Sequence, residues 1–407
     1  MSFRKIWIQI HLIIGLAAGG IFVVLGLSGS VLVFHQALDE WLNPAQLRTN
    51  HGGARKSLDE LVARVQASEP GRMGPAAVEL PADARGVLVV YFKHPSTARM
   101  GEEAEWFEVD VDPYTGQVLG QRPYTGHLTG FIYEFHESLM LGGTGEFVVG
   151  LSGVVLVLSL LSGAYLWWPK PGSIGQAFRF QTRPSPIQRQ LARPRLTRIG
   201  SLLLLVIVAV SGVCLVFRDE IPALLNTVMS AHTWPAEPES MLRPAAVPLS
   251  ASQVAEIAAG RFPNSELRWM DFPVDKTDVF RVGLHSPHEL TGSGYAASER
   301  LWVEQYTGEI LAERDWQTFT PADKVLSAMM VLHNGQGLGM PGRMAVCLVG
   351  FTLPVLYITA IRSWLMKRRA RRRPPVIAGR GAPILSPDSP SSVVAYESRG
   401  QSSGPDR

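Results

Sequence analysis

Ser28–Asn43 reads S-G-S-V-L-V-F-H-Q-A-L-D-E-W-L-N, and Ser211–Asn226 reads S-G-V-C-L-V-F-R-D-E-I-P-A-L-L-N. The two stretches align without a gap, and each closes a long apolar run. Further matches follow in the same order. Tyr114–Arg122 is Y-T-G-Q-V-L-G-Q-R, and Tyr306–Arg314 is Y-T-G-E-I-L-A-E-R. His136 precedes Gly142, Gly145, Ser162, Gly163 and Trp167 at the spacings with which His333 precedes Gly339, Gly342, Thr359, Ala360 and Trp364. Ordered matches of this kind mark an internal duplication. The copies run parallel, so a pseudo-two-fold axis along a membrane normal is expected.

Working outward from the repeat, four runs lack Asp, Glu, Lys and Arg: Ile6–Phe34, Phe147–Trp168, Ile199–Phe217 and Met344–Ile361. A bilayer core takes roughly 20 helical residues to cross. Only 18 % of the chain is charged, below the ~25 % of a typical soluble protein. The expected class is therefore a mainly α membrane protein with four transmembrane helices in two pseudo-symmetric halves. The first run follows Arg4 and Lys5 but is too long for a signal peptide and reads as a retained anchor. Basic residues set the orientation. Lys170 to Arg198 and Arg362 to Arg373 are rich in Lys and Arg without an acid, so these segments and both termini are expected in the cytoplasm. Expected boundaries are spans at 1–35, 147–168, 199–217 and 344–366, outer lobes at 36–146 and 218–343, a basic loop at 169–198 and a disordered tail at 367–407. Cys214 and Cys347 lie inside apolar runs and are not expected to pair.

Each outer lobe carries one pattern. Ser57 precedes L-D-E-L-V-A-R-V, with apolar residues at helical spacing after an N-cap. Alternating stretches follow at Gly86–Phe92 and Trp106–Val111, then the Y-T-G turn and Val118. The second lobe repeats this with a helix opening at Ser252, strands at Val279–Leu284 and Leu301–Gln305, and its own turn. Each lobe is expected to be a small α+β domain. The turn glycines are expected at positive φ.

An ordered set of motifs resembles the PepSY-associated transmembrane proteins. It comprises H-L-I-I-G at His11, L-S-G-S-V-L-V-F with D-E-W-L-N-P, F-H-E-S-L-M-L-G-G-T-G at Phe135, S-G-A-Y-L-W-W-P at Ser162, D-P-Y-T-G-Q-V-L and L-H-N-G-Q-G-L-G. The resemblance covers roughly residues 1–366. It implies a bacterial inner-membrane protein with a periplasmic PepSY-like lobe inserted in each half. Family members are often linked to iron uptake, and some are similar to haem-containing reductases of ferric siderophores.

Histidines are the candidate ligands. His136 and His333 occupy equivalent positions, and a pseudo-two-fold axis brings such positions face to face. Two neutral imidazoles on opposite sides suit the axial ligation of a haem b. No C-x-x-C-H occurs, which excludes covalent attachment. His11 lies one turn into the first span near the cytoplasmic side, where an ionisable residue is a functional candidate. Family members often read L-H-R at the matching place in the third span; here Leu196-Thr197-Arg198 has no histidine. His11 is thus either a ligand of a second haem or hydrogen-bonded between helices. His35 ends the first span on the outer side, opposite Arg218 of the repeat, and either ligates haem or meets a propionate. His11 and His35 are 24 residues apart, about 36 Å along one straight helix, so they cannot share a haem. His127 is a weaker candidate, and Pro287 argues against a metal site at His285 and His288.

No P-loop, dinucleotide fingerprint, H-E-x-x-H or G-x-S-x-G is present, and nothing points to nucleic acid. The reading that results is a haem b electron-transfer protein that takes electrons from a quinol or another membrane donor. It would reduce a ferric siderophore or another periplasmic iron complex. Two rivals remain open: a membrane-anchored binding or regulatory protein, and a transporter of iron complexes.

Overall fold

A computed structural model describes residues 3–69, 71–72, 74–93, 106–167, 195–230, 238–243, 246–287 and 299–372. Most of the basic loop, the tail after Arg372, His94, His232 and His288 lie outside the described residues. Met1–Arg362 forms one compact unit and Ser363–Arg407 a second. Within the second, Arg368 lies over the Trp364 ring at 5.2 Å.

The helices in chain order are α1 (Phe3–Ala17), α2 (Gly19–Leu32), α3 (His35–Leu42), α4 (Pro44–Leu47), α5 (Leu58–Ser68), α6 (Leu128–Ser138) and α7 (Gly142–Trp167) in the first half. The second half has α8 (Arg195–Val216), α9 (Glu220–Leu225), α10 (Ala251–Arg261), α11 (Pro321–Ser327), α12 (Met329–Asn334), α13 (Gly339–Gly350) and α14 (Thr352–Arg372). Among the described residues two stretches are long and apolar enough to cross a membrane, Gly142–Leu166 and Gln336–Arg369. The pair α1 and α2 also passes, but as two helices bent by 56°. The first run is therefore not one straight rod. The break at Ala18 precedes Gly19-Gly20, a weak point for a helix, and Gly19 is where the Tyr357 ring packs closest. The apolar part of α8, Gly200–Val216, is shorter than a full span. Phe22, Leu160, Leu205, Ala209, Val349 and Leu353 form the core between these helices. Large apolar side chains such as Ile13, Leu158, Leu203 and Leu348 point outward and stay exposed, as lipid-facing residues do.

The lobes are not separate domains. Strands β1 (Ala77–Glu79), β2 (Leu88–Lys93), β3 (Trp106–Val111), β4 (Val118–Pro123), β5 (Glu266–Asp271), β6 (Val279–His285), β7 (Glu299–Glu304) and β8 (Ile310–Arg314) form a single sheet, ordered β4-β3-β2-β1-β5-β6-β7-β8. The two halves join where β1 pairs antiparallel with β5, through Ala77–Asp271, Val78–Met270 and Glu79–Trp269. One apolar face carries Val78, Val90, Phe92, Val109, Met270, Phe280, Val282 and Leu301 and is covered by Leu61 and Val65 of α5 and Val254 and Ala258 of α10. Apolar burial on both sides of the seam makes one core, the main stabilising term. The helix starts also lock together: Asp59 accepts from the Ser252 amide at 2.9 Å and the Ser250 hydroxyl at 2.8 Å.

Local signals explain most elements. Ser57 accepts from the Glu60 amide and caps α5. In the second half the cap is Ser250, in a capping box with Gln253, rather than the expected Ser252. The turn glycines Gly116 and Gly308 have φ of 74° and 76°, as the Y-T-G motif requires.

Candidate functional site

His136 sits in the last turn of α6 and His333 in the last turn of α12. Their ring centres are 6.2 Å apart, with planes inclined at 51°. Each ring rests on a Ser-Gly pair of a neighbouring apolar helix, the same Ser-Gly that opens the repeated stretch. His136 Nδ1 lies 2.9 Å from Ser28 Oγ, and the Leu25 carbonyl also acts on the ring. His333 Nδ1 lies 2.9 Å from the Val208 carbonyl and 3.2 Å from Ser211 Oγ. Leu25 and Val208 are equivalent in the repeat, as are Ser28 and Ser211. A Cβ on Gly29 would fall 2.9 Å from His136 Cε1, and one on Gly212 would fall 2.9 Å from His333 Cε1. Only glycine lets the rings lie this close.

These bonds set the tautomer. The Ser28 hydroxyl donates to the Val24 carbonyl at 2.9 Å, and the Ser211 hydroxyl to the Val208 carbonyl at 3.0 Å. With their protons spent, both oxygens can only accept from the imidazoles. Each histidine therefore carries its proton on Nδ1 and keeps the Nε2 lone pair. A ligand imidazole whose other nitrogen donates to a fixed acceptor is the usual form at metal sites. Imidazole–metal bonds are about 2.0–2.1 Å and the ring centre lies ~1.1 Å further on, so a shared metal separates two opposed ring centres by about 6.2–6.4 Å. The observed separation meets that requirement. Among the described residues no group of three or more His, Cys, Asp or Glu could hold a metal ion. Two imidazoles alone suit a metal that brings its in-plane ligands with it, and this donor set fits haem.

His11 occupies a third cradle of the same kind. Its Nδ1 is 2.8 Å from Ser162 Oγ, whose hydroxyl donates to the Ser159 carbonyl at 2.9 Å. A Cβ on Gly163 would fall 3.2 Å from His11 Cε1. At the fourth, symmetry-related place the repeat has Thr359-Ala360, with neither a Ser-Gly pair nor an equivalent histidine in the sequence. His35 is exposed at the start of α3 with Nδ1 on the Leu32 carbonyl at 2.8 Å; no contact joins it to the pair. Arg343, which was not foreseen, donates to the Val33 carbonyl at 2.6 Å and stacks on Phe34.

His127 joins a polar cluster at the base of the sheet. Arg122 donates to both oxygens of Asp39, at 3.0 and 2.7 Å, and to Glu108 at 2.9 Å. Burial pushes the Asp39 carboxyl up, but Arg122 and Asn43 outweigh it and hold the group below its ordinary value. Burial opposes the charge on Arg122, yet Asp39 and Glu108 raise it above its ordinary value. The neighbouring Asp110 is fully buried. Burial drives it up to about 7 despite the bond from Gln46. Gly120, paired with Asp110, leaves the space through which Gln46 reaches it.

A family model described as PepSY-associated TM region matches residues 8–367. The chain belongs to this family. Membership agrees with the apolar helices and makes contact with a lipid bilayer part of the fold. A search among curated proteins found no match. The match to the PepSY-associated family spans both halves of the duplication, and so includes all three cradles.

Proposed function

We propose that the protein is a haem b electron-transfer protein of a bacterial inner membrane that reduces a periplasmic ferric complex, such as a ferric siderophore. In this reading four apolar helices cross the membrane, both termini are cytoplasmic, and the eight-stranded sheet lies in the periplasm. The observation that carries the reading is the His136–His333 pair, with both Nδ1 atoms held and ring centres at the spacing a shared metal requires. Bound there, haem supplies a one-electron relay from a donor such as quinol to the ferric complex, and Fe(II) is held less tightly by hard oxygen chelators. The chain's own part is to hold two neutral imidazoles, fix their tautomers and shield the site with packed helices. His11, held by Ser162 in the same way, would be the residue to hold a second haem if one binds; otherwise its role is the bond between helices.

The test is an absorption spectrum of purified protein, oxidised and dithionite-reduced, with haem quantified as the pyridine complex. Sharp reduced bands are expected, and they are lost in His136→Ala and His333→Ala. His11→Ala should lower the haem-to-protein ratio without removing the first haem. A colourless, folded protein after haem supplementation would defeat the reading and favour a membrane-anchored binding protein.

A further inference from the structure

We propose that Arg343 anchors a propionate carboxylate of the haem, beside the cradle of His136. The proposal rests on the haem reading, and its test tells the failure of one from the failure of the other.

Arg343 stands near the start of α13. Its Nε and Nη2 both donate to the Val33 carbonyl, at 3.1 and 2.6 Å, and its guanidinium lies 4.8 Å from the centre of the Phe34 ring. Val33 is the C-cap of α2, and its amide donates to the Gly29 carbonyl at 3.1 Å. Gly29 is the floor on which the His136 ring lies. The guanidinium is therefore held about one helical turn further along α2 than the imidazole's seat. The seam beneath it is tight: Ser30 Oγ of α2 lies 2.9 Å from the Cys347 carbonyl of α13. The Val33 carbonyl occupies only part of the guanidinium's fork of N–H donors. Arg343 is half-buried, and among the described residues no carboxylate pairs with it. A cation in that setting calls for an anion.

A cation at a helix C-terminus also has a purely structural use, as a cap on the last carbonyls. The repeat weighs against that use as the whole account. Glu146 follows His136 at the spacing with which Arg343 follows His333, and Val216 and Phe217 are the equivalents of Val33 and Phe34. Phe217 meets the Phe147 ring edge-on at 6.2 Å, where Phe34 meets a cation. The fold thus closes the same helix end with an acid in Arg343's place. The cation answers a need present in one half only. Haem b carries propionates that are ionised at neutral pH, and an arginine fork is the side chain best shaped for a carboxylate. His35 and Arg218, which the sequence offered for a propionate, are exposed, whereas Arg343 is pinned beside the cradle.

The experiment titrates the full chain, purified in detergent from haem-depleted cells, with haem b and with its dimethyl ester, whose propionates carry no charge. Wild type should bind haem b at least about tenfold more tightly than the ester, the size of one charge-assisted hydrogen bond. Arg343→Gln keeps an N–H for the Val33 carbonyl but loses the charge, and it should bind both forms alike. Glu146→Gln should keep the wild-type preference. The haem potential of Arg343→Gln should fall by about 59 mV, a tenfold change in the one-electron equilibrium, because a lost cation favours the ferric state; a cap alone would leave the potential unmoved. Equal binding of both forms by wild type, which needs no variant, would overturn the proposal and leave the haem reading standing. So would a full preference retained in Arg343→Gln. A folded wild type that binds neither form would defeat the haem reading and this proposal with it.

Discussion

A single methyl group at Gly29 or Gly212 tests the cradle most directly. In Gly29→Ala the new Cβ would stand 2.9 Å from His136 Cε1, and in Gly212→Ala the same distance from His333 Cε1. Carbon atoms rest at about 3.5–4.0 Å, so each ring must retreat by roughly 0.6 Å or more. Metal–ligand distances tolerate only about 0.2 Å. Neither ring can pivot freely, because His136 Nδ1 is tied to Ser28 and His333 Nδ1 to Ser211 and Val208. Helix propensity works the opposite way: alanine in a helix interior is favoured over glycine by about 0.8–1.0 kcal/mol. A loss therefore cannot be blamed on a weaker helix. Haem titration of each purified variant should show affinity reduced about 10- to 100-fold, as when outer-shell partners of a metal ligand are disturbed. Gly15→Ala in α1 is the control, because nothing lies within 4 Å of its Cβ position, and it should bind as wild type. Wild-type affinity and spectra in both Gly29→Ala and Gly212→Ala would refute the cradle.

Ser28→Ala and Ser211→Ala should each weaken haem binding in the same titration, Ser211→Ala by less, because the Val208 carbonyl still accepts the His333 Nδ1 proton. Asp110 is raised to about 7 from an ordinary 3.8. The folded state keeps a proton that the unfolded chain releases, so stability is full below pH ~4 and is lost as pH climbs to about 7, by up to about 4 kcal/mol. Asp110→Asn should flatten that limb in thermal unfolding measured across pH. Asp112 runs the other way: burial raises it, but bonds from Thr49, the Tyr114 and Thr115 amides and His51 hold it at about 2. Its stabilisation is present above pH ~4 and disappears as pH falls towards 2. Asp112→Asn should therefore cost about 2 kcal/mol at pH 7 and nothing near pH 2; an equal cost at both would count against the assignment.

The duplication was legible because it is written in identical letters, and with it the pairing of His136 and His333. Strands β2, β3, β6 and β7 were legible through alternation. β1 and β5 were not. β1 is three residues long between Pro75 and Pro81, and β5 carries Glu266, Arg268 and Asp271 in six residues. Those two strands form the seam, so separate lobes were expected where one sheet exists. The cradles were half visible. Ser28-Gly29 and Ser162-Gly163 stood out as repeat markers, but nothing local in a sequence says that a serine oxygen has no proton left to give. That depends on the Val24 and Ser159 carbonyls one turn back, and on which histidine arrives from another helix.

The comparison of equivalent places within the repeat gives the cradles an internal argument. A Ser-Gly pair inside an apolar helix has ordinary uses, since small residues let helices approach closely. Ser152-Gly153 of α7 is such a case, its glycine facing Val213 with no imidazole within 4 Å. Yet three Ser-Gly pairs hold three imidazoles, at Nδ1–Oγ distances of 2.9, 3.2 and 2.8 Å. The fourth place, Thr359-Ala360, has no histidine to hold. A threonine could still donate to its own helix, and Thr359 does so to the Val355 carbonyl at 2.7 Å. What Ala360 removes is the gap over which an imidazole ring could lie. Restoring that gap with Ala360→Gly should therefore change nothing by itself, whereas Gly163→Ala, which closes the gap over His11, should disturb whatever His11 binds.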